Sequence, residues 1–242
     1  MGRDQFEHFC MDSGYRIKQL RNFRVTTNSL GVTRFPNMIK DVKCTRVNQV
    51  FVSDITYFDI GSDTYYLTFI MDLFNREIVG CSASDNLRTE STTLPALHRV
   101  IKERGKANLD GAIMHSDGGG QYYCKEFKTI TKELKMINSM TEEKVYENAH
   151  AERLNGIIKN NYLYPYAPTD LASLKKLLNK AVLMYNTGKP HKALGKLTPK
   201  SFKDTIDNED NSASNLPLST VNHHHHHSNN RSKLSNKKVN VI

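Results

Sequence analysis

Val50-Phe51-Val52-Ser53-Asp54-Ile55-Thr56-Tyr57 is the stretch on which the reading turns. Its β-branched and aromatic residues mark a buried strand, and Asp54 interrupts the apolar run. An unpaired carboxylate in such a strand costs several kcal/mol or takes up a proton. A divalent cation removes that difficulty. So does a hydrogen-bonding neighbour at a strand edge, and Asp54 taken alone favours this second account. Outward from it, residues 49–60, 64–74 and 77–84 are rich in Val, Ile, Phe, Tyr and Thr, with Gly61-Ser62-Asp63 and Asn75-Arg76 between them. That pattern predicts an antiparallel three-strand meander.

Downstream, residues 89–104 place Leu94, Leu97, Val100 and Ile101 at helical spacing, with Gly105 as the stop. Residues 112–115 read as a short buried strand running into Ser116-Asp117 and three glycines. A helix over 125–134, a strand over 136–140 and helices over 147–161 and 170–185 complete the set. Three strands, a helix, a strand, a helix, a strand and further helices predict an α/β chain of ribonuclease-H-like fold, its mixed five-stranded sheet flanked by helices. An unrelated α/β sandwich gives the same string.

Two further acids belong with Asp54. Asp117 closes a core strand, and carboxylates at strand C-termini of open α/β sheets point into the ligand crevice. The glycines after it allow close backbone approach and positive φ, though an isolated Asp-Gly is equally a plain turn. On the helix over 147–161, a rotation of about 100° per residue puts Asn148, Glu152, Asn155, Gly156 and Lys159 on one stripe. That stripe is predicted to be exposed, opposite Leu154, Ile157 and Ile158, and by itself it reads as a solvated face. Jointly the acids say more. Two hard cations about 3.5–4 Å apart clamp both oxygens of a phosphoryl displacement. The charges of two Mg²⁺, three carboxylates and a bridging phosphodiester cancel. Of the remaining acids, Asp59, Asp63 and Asp110 fall at predicted turns, and Asp72 is expected to order a hairpin beside Arg76.

The 242 residues carry a formal net charge of +9 with 38% hydrophobic content, enough for one core with polar ends and suited to a polyanionic partner. No apolar run approaches the roughly 20 residues of a membrane span, and Met1-Gly2-Arg3-Asp4 is unlike a signal peptide. No membrane association and a cytoplasmic location are therefore expected. Cys10, Cys44, Cys81 and Cys124 lie far apart without a CxxC pair, which disfavours zinc fingers and disulfide frameworks. Residues 1–48 form a basic segment in which Asp4 is expected to cap a short helix carrying Phe6, Phe9 and Met11, closed by Gly14. Residues 49–202 hold the core. Residues 203–242, dominated by Asn, Ser, Lys and His, are expected to be a disordered polar tail, its histidine run at 223–227 an incidental metal binder.

Four motifs occur in one order: Asn48-Gln49-Val50-Phe51-Val52-Ser53-Asp54-Ile55-Thr56-Tyr57, His115-Ser116-Asp117-Gly118-Gly119-Gly120-Gln121-Tyr122, Glu147-Asn148-Ala149-His150-Ala151-Glu152-Arg153 and Tyr185-Asn186-Thr187-Gly188-Lys189-Pro190-His191. On these the chain, over about residues 1–202, resembles insertion-sequence transposases of the OrfB class with a retroviral-integrase-type DDE core. The resemblance implies that Asp54, Asp117 and Glu152 are catalytic and bind two Mg²⁺, with Mn²⁺ as a substitute. They would nick an element end and aim the freed 3′-hydroxyl at a second phosphodiester. Lys159, Asn155, Lys189 and His191 would hold DNA. Implied partners are DNA, an upstream OrfA-type protein and further copies of the chain in the active complex, with nucleoid association in a bacterial cytoplasm. Two features depart from the family. Phe51 stands where Trp is usual, and the chain begins inside a longer helix-turn-helix region, so 1–48 reads as the end of a truncated module. A catalytically silent DNA-binding remnant and a cellular nuclease of the same fold stay open as alternatives.

Overall fold

The computed structural model describes residues 2–15, 35–142 and 148–214. The basic residues Arg16, Lys18, Arg21, Arg24 and Arg34, position 147 and the histidine run lie outside the described residues. β1 (Val50–Ile60), β2 (Asp63–Asp72) and β3 (Ile78–Ser84) make the expected antiparallel meander. β4 (Ile113–Ser116) pairs in parallel with the other edge of β1, and β5 (Ile137–Met140) continues outward in parallel. The order β3-β2-β1-β4-β5 leaves β1 central.

Strand alternation sorts the side chains into two cores. Val50, Val52, Phe69 and Met71 point to one face, and Phe51 and Ile70 to the other. The first core lies under α4 (Ala149–Ile158), α5 (Leu171–Gly188) and α6 (Pro199–Ser214), which contribute Leu154, Ile158, Leu174, Leu178, Tyr185 and Phe202. The second lies under α2 (Thr93–Arg104) and α3 (Lys125–Glu133), through Leu97, Val100 and Phe127. A mixed five-stranded sheet with helices on both faces is the ribonuclease-H-like arrangement that the element order predicts. No helix among the described residues is long and apolar enough to cross a membrane.

Several boundaries differ from expectation for identifiable reasons. In α1 (Arg3–Asp12) Gly2 is the N-cap and Asp4 lies in the first turn, while Gly14, at φ +77°, closes the end as expected. The helix before Gly105 begins at Thr93 rather than 89, because the Thr92 hydroxyl and amide both bond back to Arg88 O in a preceding turn. The tail expected to be disordered from 203 is helical to Ser214. Phe202 packs against Phe74 with the rings tilted at 56° and their centres 5.7 Å apart, and Ile206, one turn on, packs on the same core. The regular turns of α4 stop at Ile158 and pass into a π turn over Lys159–Leu163.

Asp59 and Asp63 lie within strands rather than turns. Buried Asp72 accepts hydrogen bonds from the amides of Asn48 (2.7 Å) and Phe74 (3.0 Å). The Arg104 guanidinium lies 3.9 Å from it, and the charge of Asp72 also bears on Arg76 in the turn it orders. Burial pushes its carboxyl up to about 6, opposed by these bonds and by Arg104.

Gly80 on β3 lets α2 approach the sheet. A Cβ there would run into the Ala96 carbonyl and come within 2.9 Å of Val100 Cγ2. Gly80→Ala is expected to cost about 1–3 kcal/mol through overpacking, read as a lower urea midpoint at unchanged slope. An unchanged midpoint would contradict this close approach.

Candidate active site

The parallel register of β1 with β4 ends at Ser53 opposite Ser116, so Asp54 and Asp117 come next on neighbouring strands. Adjacent strands lie about 4.8 Å apart. Alternation places Asp54 on the side of Val52 and Asp117 on the side of Ile113, and both sides belong to the core under α4. The two acids therefore face the same helix.

Two asparagines fix that helix. Asn148 Nδ2 donates to Ser53 O at 3.0 Å, and Asn155 Nδ2 donates to Asp54 Oδ2 at 2.7 Å. Glu152 stands about one turn from each, above the strand acids. The stripe expected to face solvent is thus turned inward at both ends: Asn148 and Asn155 are only 4% and 5% exposed. Periodicity identified which residues share a side, but the hydrogen bonds to β1 decide where that side points. Asn155, expected at DNA, is the partner of Asp54 in this structure. Asn148 was not singled out for a role, although amides at four before and three after an acid are a legible hint.

The acids act on one another electrostatically. Burial, then the charges of Asp117 and Glu152, push the Asp54 carboxyl up to about 8, against the pull of the Ile55 amide and Asn155. Burial raises Asp117, opposed by the Gly119 N–H at 3.1 Å. Exposed Glu152 is raised by desolvation and then by Asp117. Among the described residues, however, no three His, Cys, Asp or Glu side chains converge closely enough to hold a metal ion as they stand. Glu152 keeps the rotamer freedom of an exposed side chain. The donor set fits a hard divalent cation: oxygen ligands only, two of them half-buried and mutually repelling, with Asn155 Oδ1 buried and lacking a hydrogen-bond partner. Gly119 serves this site by size rather than by positive φ. Its φ is −65°, and a Cβ would sit 3.0 Å from Asp117 Oδ1.

Lys159, at the start of the π turn, donates to Thr56 Oγ1 at 2.9 Å and lies 5.2 Å from the centre of the Tyr57 ring. Burial lowers its pKa while Asp54 and Asp59 hold it up. The cation thus sits two residues along β1 from Asp54. Lys189 and His191 are not brought to the acids by any described contact. Lys189 is the C-cap of α5. His191 packs edge-on against Tyr185 at 5.2 Å, and burial followed by the charges of Lys189 and Arg76 holds it down to about 4. In the same motif, Asn186 Oδ1 accepts from Ile78 N and its Nδ2 donates to Ile78 O, each at 2.9 Å, which ties α5 to β3.

Known proteins share this architecture. One family model described as an integrase core domain matches residues 45–144, and a second with the same description matches 136–199. The insertion element IS600 uncharacterized 31 kDa protein of Shigella sonnei is 29% identical over 84% of this chain and 75% of its own length. The putative transposase InsK for insertion sequence element IS150 of Escherichia coli (strain K12) is 26% identical over 80% of this chain and 67% of its own. The HTLV-2 integrase catalytic core domain, solved in complex with magnesium, superposes with a TM-score of 0.51 at 21% identity, covering 64% of this chain and 95% of that one. The fold is that of the integrase core: the two models together span residues 45–199, so the chain carries an integrase core domain, and it is similar over most of its length to proteins of insertion sequences.

Proposed function

We propose that Asp54, Asp117 and Glu152 are the catalytic acids of a DNA transposase subunit, which hydrolyses a phosphodiester at an element end and joins the freed 3′-hydroxyl to target DNA. The observation that carries this reading is the β1–β4 register ending at Ser53 opposite Ser116, which sets Asp54 beside Asp117, with Asn155 tying the helix of Glu152 to Asp54. The three would hold two Mg²⁺, with Mn²⁺ as a substitute. Such ions, when bound, supply Lewis-acid activation of the oxygen nucleophile and offset charge on the phosphodiester.

The chain's own groups do the positioning. Asn155 orients one oxygen of Asp54. The Gly119 N–H fixes Asp117 Oδ1. Asn148 anchors the first turn of α4 and with it the root of Glu152. Lys159, at the rim of β1, is placed to meet a DNA phosphate. Residues 49–202 serve as the catalytic core, with the basic segment 1–48 before it and the polar tail after it. DNA, an OrfA-type protein that recognises the ends and further copies of the chain complete the active complex, with nucleoid association in the bacterial cytoplasm. A catalytically silent DNA-binding remnant is the second reading, favoured by acids that do not meet closely enough for a metal in this conformation.

Three measurements test these readings. On DNA carrying the sequences that flank the gene, Mg²⁺-dependent nicking and strand transfer are expected, and Glu152→Gln should abolish both while binding persists. Binding without turnover in Mg²⁺ or Mn²⁺ would establish the remnant instead. In thermal unfolding, Mg²⁺ at a hundredfold above its Kd should stabilise the protein by about 2.7 kcal/mol, and Asp54→Asn should lose that gain; equal responses in both proteins would exclude Asp54 as a ligand. Lys159→Gln is expected to weaken duplex binding and reduce its salt slope by about 0.9, whereas an unchanged slope would remove Lys159 from the DNA contact.

A further inference from the structure

The opposite flank of α4 closes a cavity of about 540 Å³. At about 100° per residue, Arg153 and His150 lie roughly 100–160° round the helix from Glu152, and none of the three acids lines the space. Five of its lining residues carry nitrogen donors: Arg76 from the β2–β3 turn, His150 and Arg153 from α4, and His191 and Lys192 from the segment after α5. Among the described lining residues there is no carboxylate. We propose that this cavity is a phosphate-binding pocket that seats a phosphodiester of DNA, a contact separate from the acid cluster.

Arg76 makes the case. It is 94% buried, as its 6% exposure shows, and it forms no ion pair among the described residues. Its one described side-chain hydrogen bond runs from Nη1 to His150 Nδ1 at 3.0 Å. Because a guanidinium only donates, His150 Nδ1 is the acceptor in that bond. The nearby Asp72 carboxylate is occupied by the Asn48 and Phe74 amides and lies closest to Arg104. Arg153 bears on Arg76 with like charge. Fixed cations crowded round a half-enclosed space repel one another, and a phosphate relieves that repulsion while accepting several charge-assisted hydrogen bonds.

The rest of the lining suits an ester rather than a bare ion. Leu154, Ile157 and Tyr185 give the cavity an apolar floor, and its volume falls within the roughly 300–1,000 Å³ of small-ligand sites. A sugar-phosphate unit fits such a mixed surface. The DNA assignment rests on the function proposed above; the phosphate chemistry does not.

The test uses the full chain and the double variant Arg153→Gln/Lys192→Gln. Both positions are exposed and removable without opening the core. Arg76, buried at a positive φ of 62°, is left untouched. A charge-matched control, Lys102→Gln/Lys106→Gln, alters exposed lysines elsewhere. In the first arm, sodium phosphate should raise the melting temperature of wild type and control above that in sodium chloride of equal ionic strength, and the double variant should lose the rise. In the second arm, fluorescence anisotropy on a labelled DNA duplex should show the double variant binding several-fold more weakly, its salt slope smaller by about 0.9 per lost phosphate contact, with the control nearer wild type. Effects in both arms support a seated DNA phosphate. A phosphate effect with unaltered DNA binding supports the pocket with free phosphate as its ligand, and overturns the DNA assignment. A double variant indistinguishable from the control in both arms overturns the pocket altogether.

Discussion

Two side-chain amides hold α4 against the central strand, and nearly everything functional in the molecule hangs from that join. Asn148 bonds the carbonyl of Ser53 and Asn155 bonds the carboxylate of the next residue, Asp54. Each bond contributes only about 1 kcal/mol net, but losing either strands a buried polar group at about 1–3 kcal/mol. Beyond that energy, the pair fixes the rotation of the helix. Glu152 and Lys159 are thereby presented on one flank and His150 and Arg153 on the other. A slip by one residue would turn the helix through about 100° and misplace both sets.

The acid cluster shows why a half-buried carboxylate is tolerable on this strand. With its carboxyl pushed up to about 8, cation-free Asp54 is mostly protonated at neutral pH, so the sheet need not carry a bare charge. A divalent cation held there would displace that proton, which would couple metal affinity to pH in the direction of tighter binding as pH rises. Glu152, exposed and weakly tethered, is the member with freedom to complete the set.

Strand pattern and turn chemistry were legible in the sequence, because alternation along β1 and β2 reports two buried faces directly. That the acids lie near enough to repel one another was legible only through the metal-site reading that joined them, not through any local pattern. The stripe on α4 was misjudged for a physical reason: helical period groups Asn148, Glu152 and Asn155 together but carries no information on the polar groups they meet. The helix past 203 was missed because its stability comes from Phe202 and Ile206 packing on a distant core rather than from local pattern. The π turn at Lys159 and the basic cavity likewise depend on tertiary contacts, the cavity joining residues as far apart as Arg76 and Lys192.

Asn186 carries a consequence outside catalysis. β3 is an outer strand of the sheet, where free backbone groups normally invite a foreign strand to add on. By bonding both the amide and the carbonyl of Ile78, Asn186 withdraws the groups an incoming chain would read first. The opposite margin, β5, has just four residues, too short to offer much of a template. Both margins of the sheet are in this way poor templates for unintended sheet growth between copies of the chain.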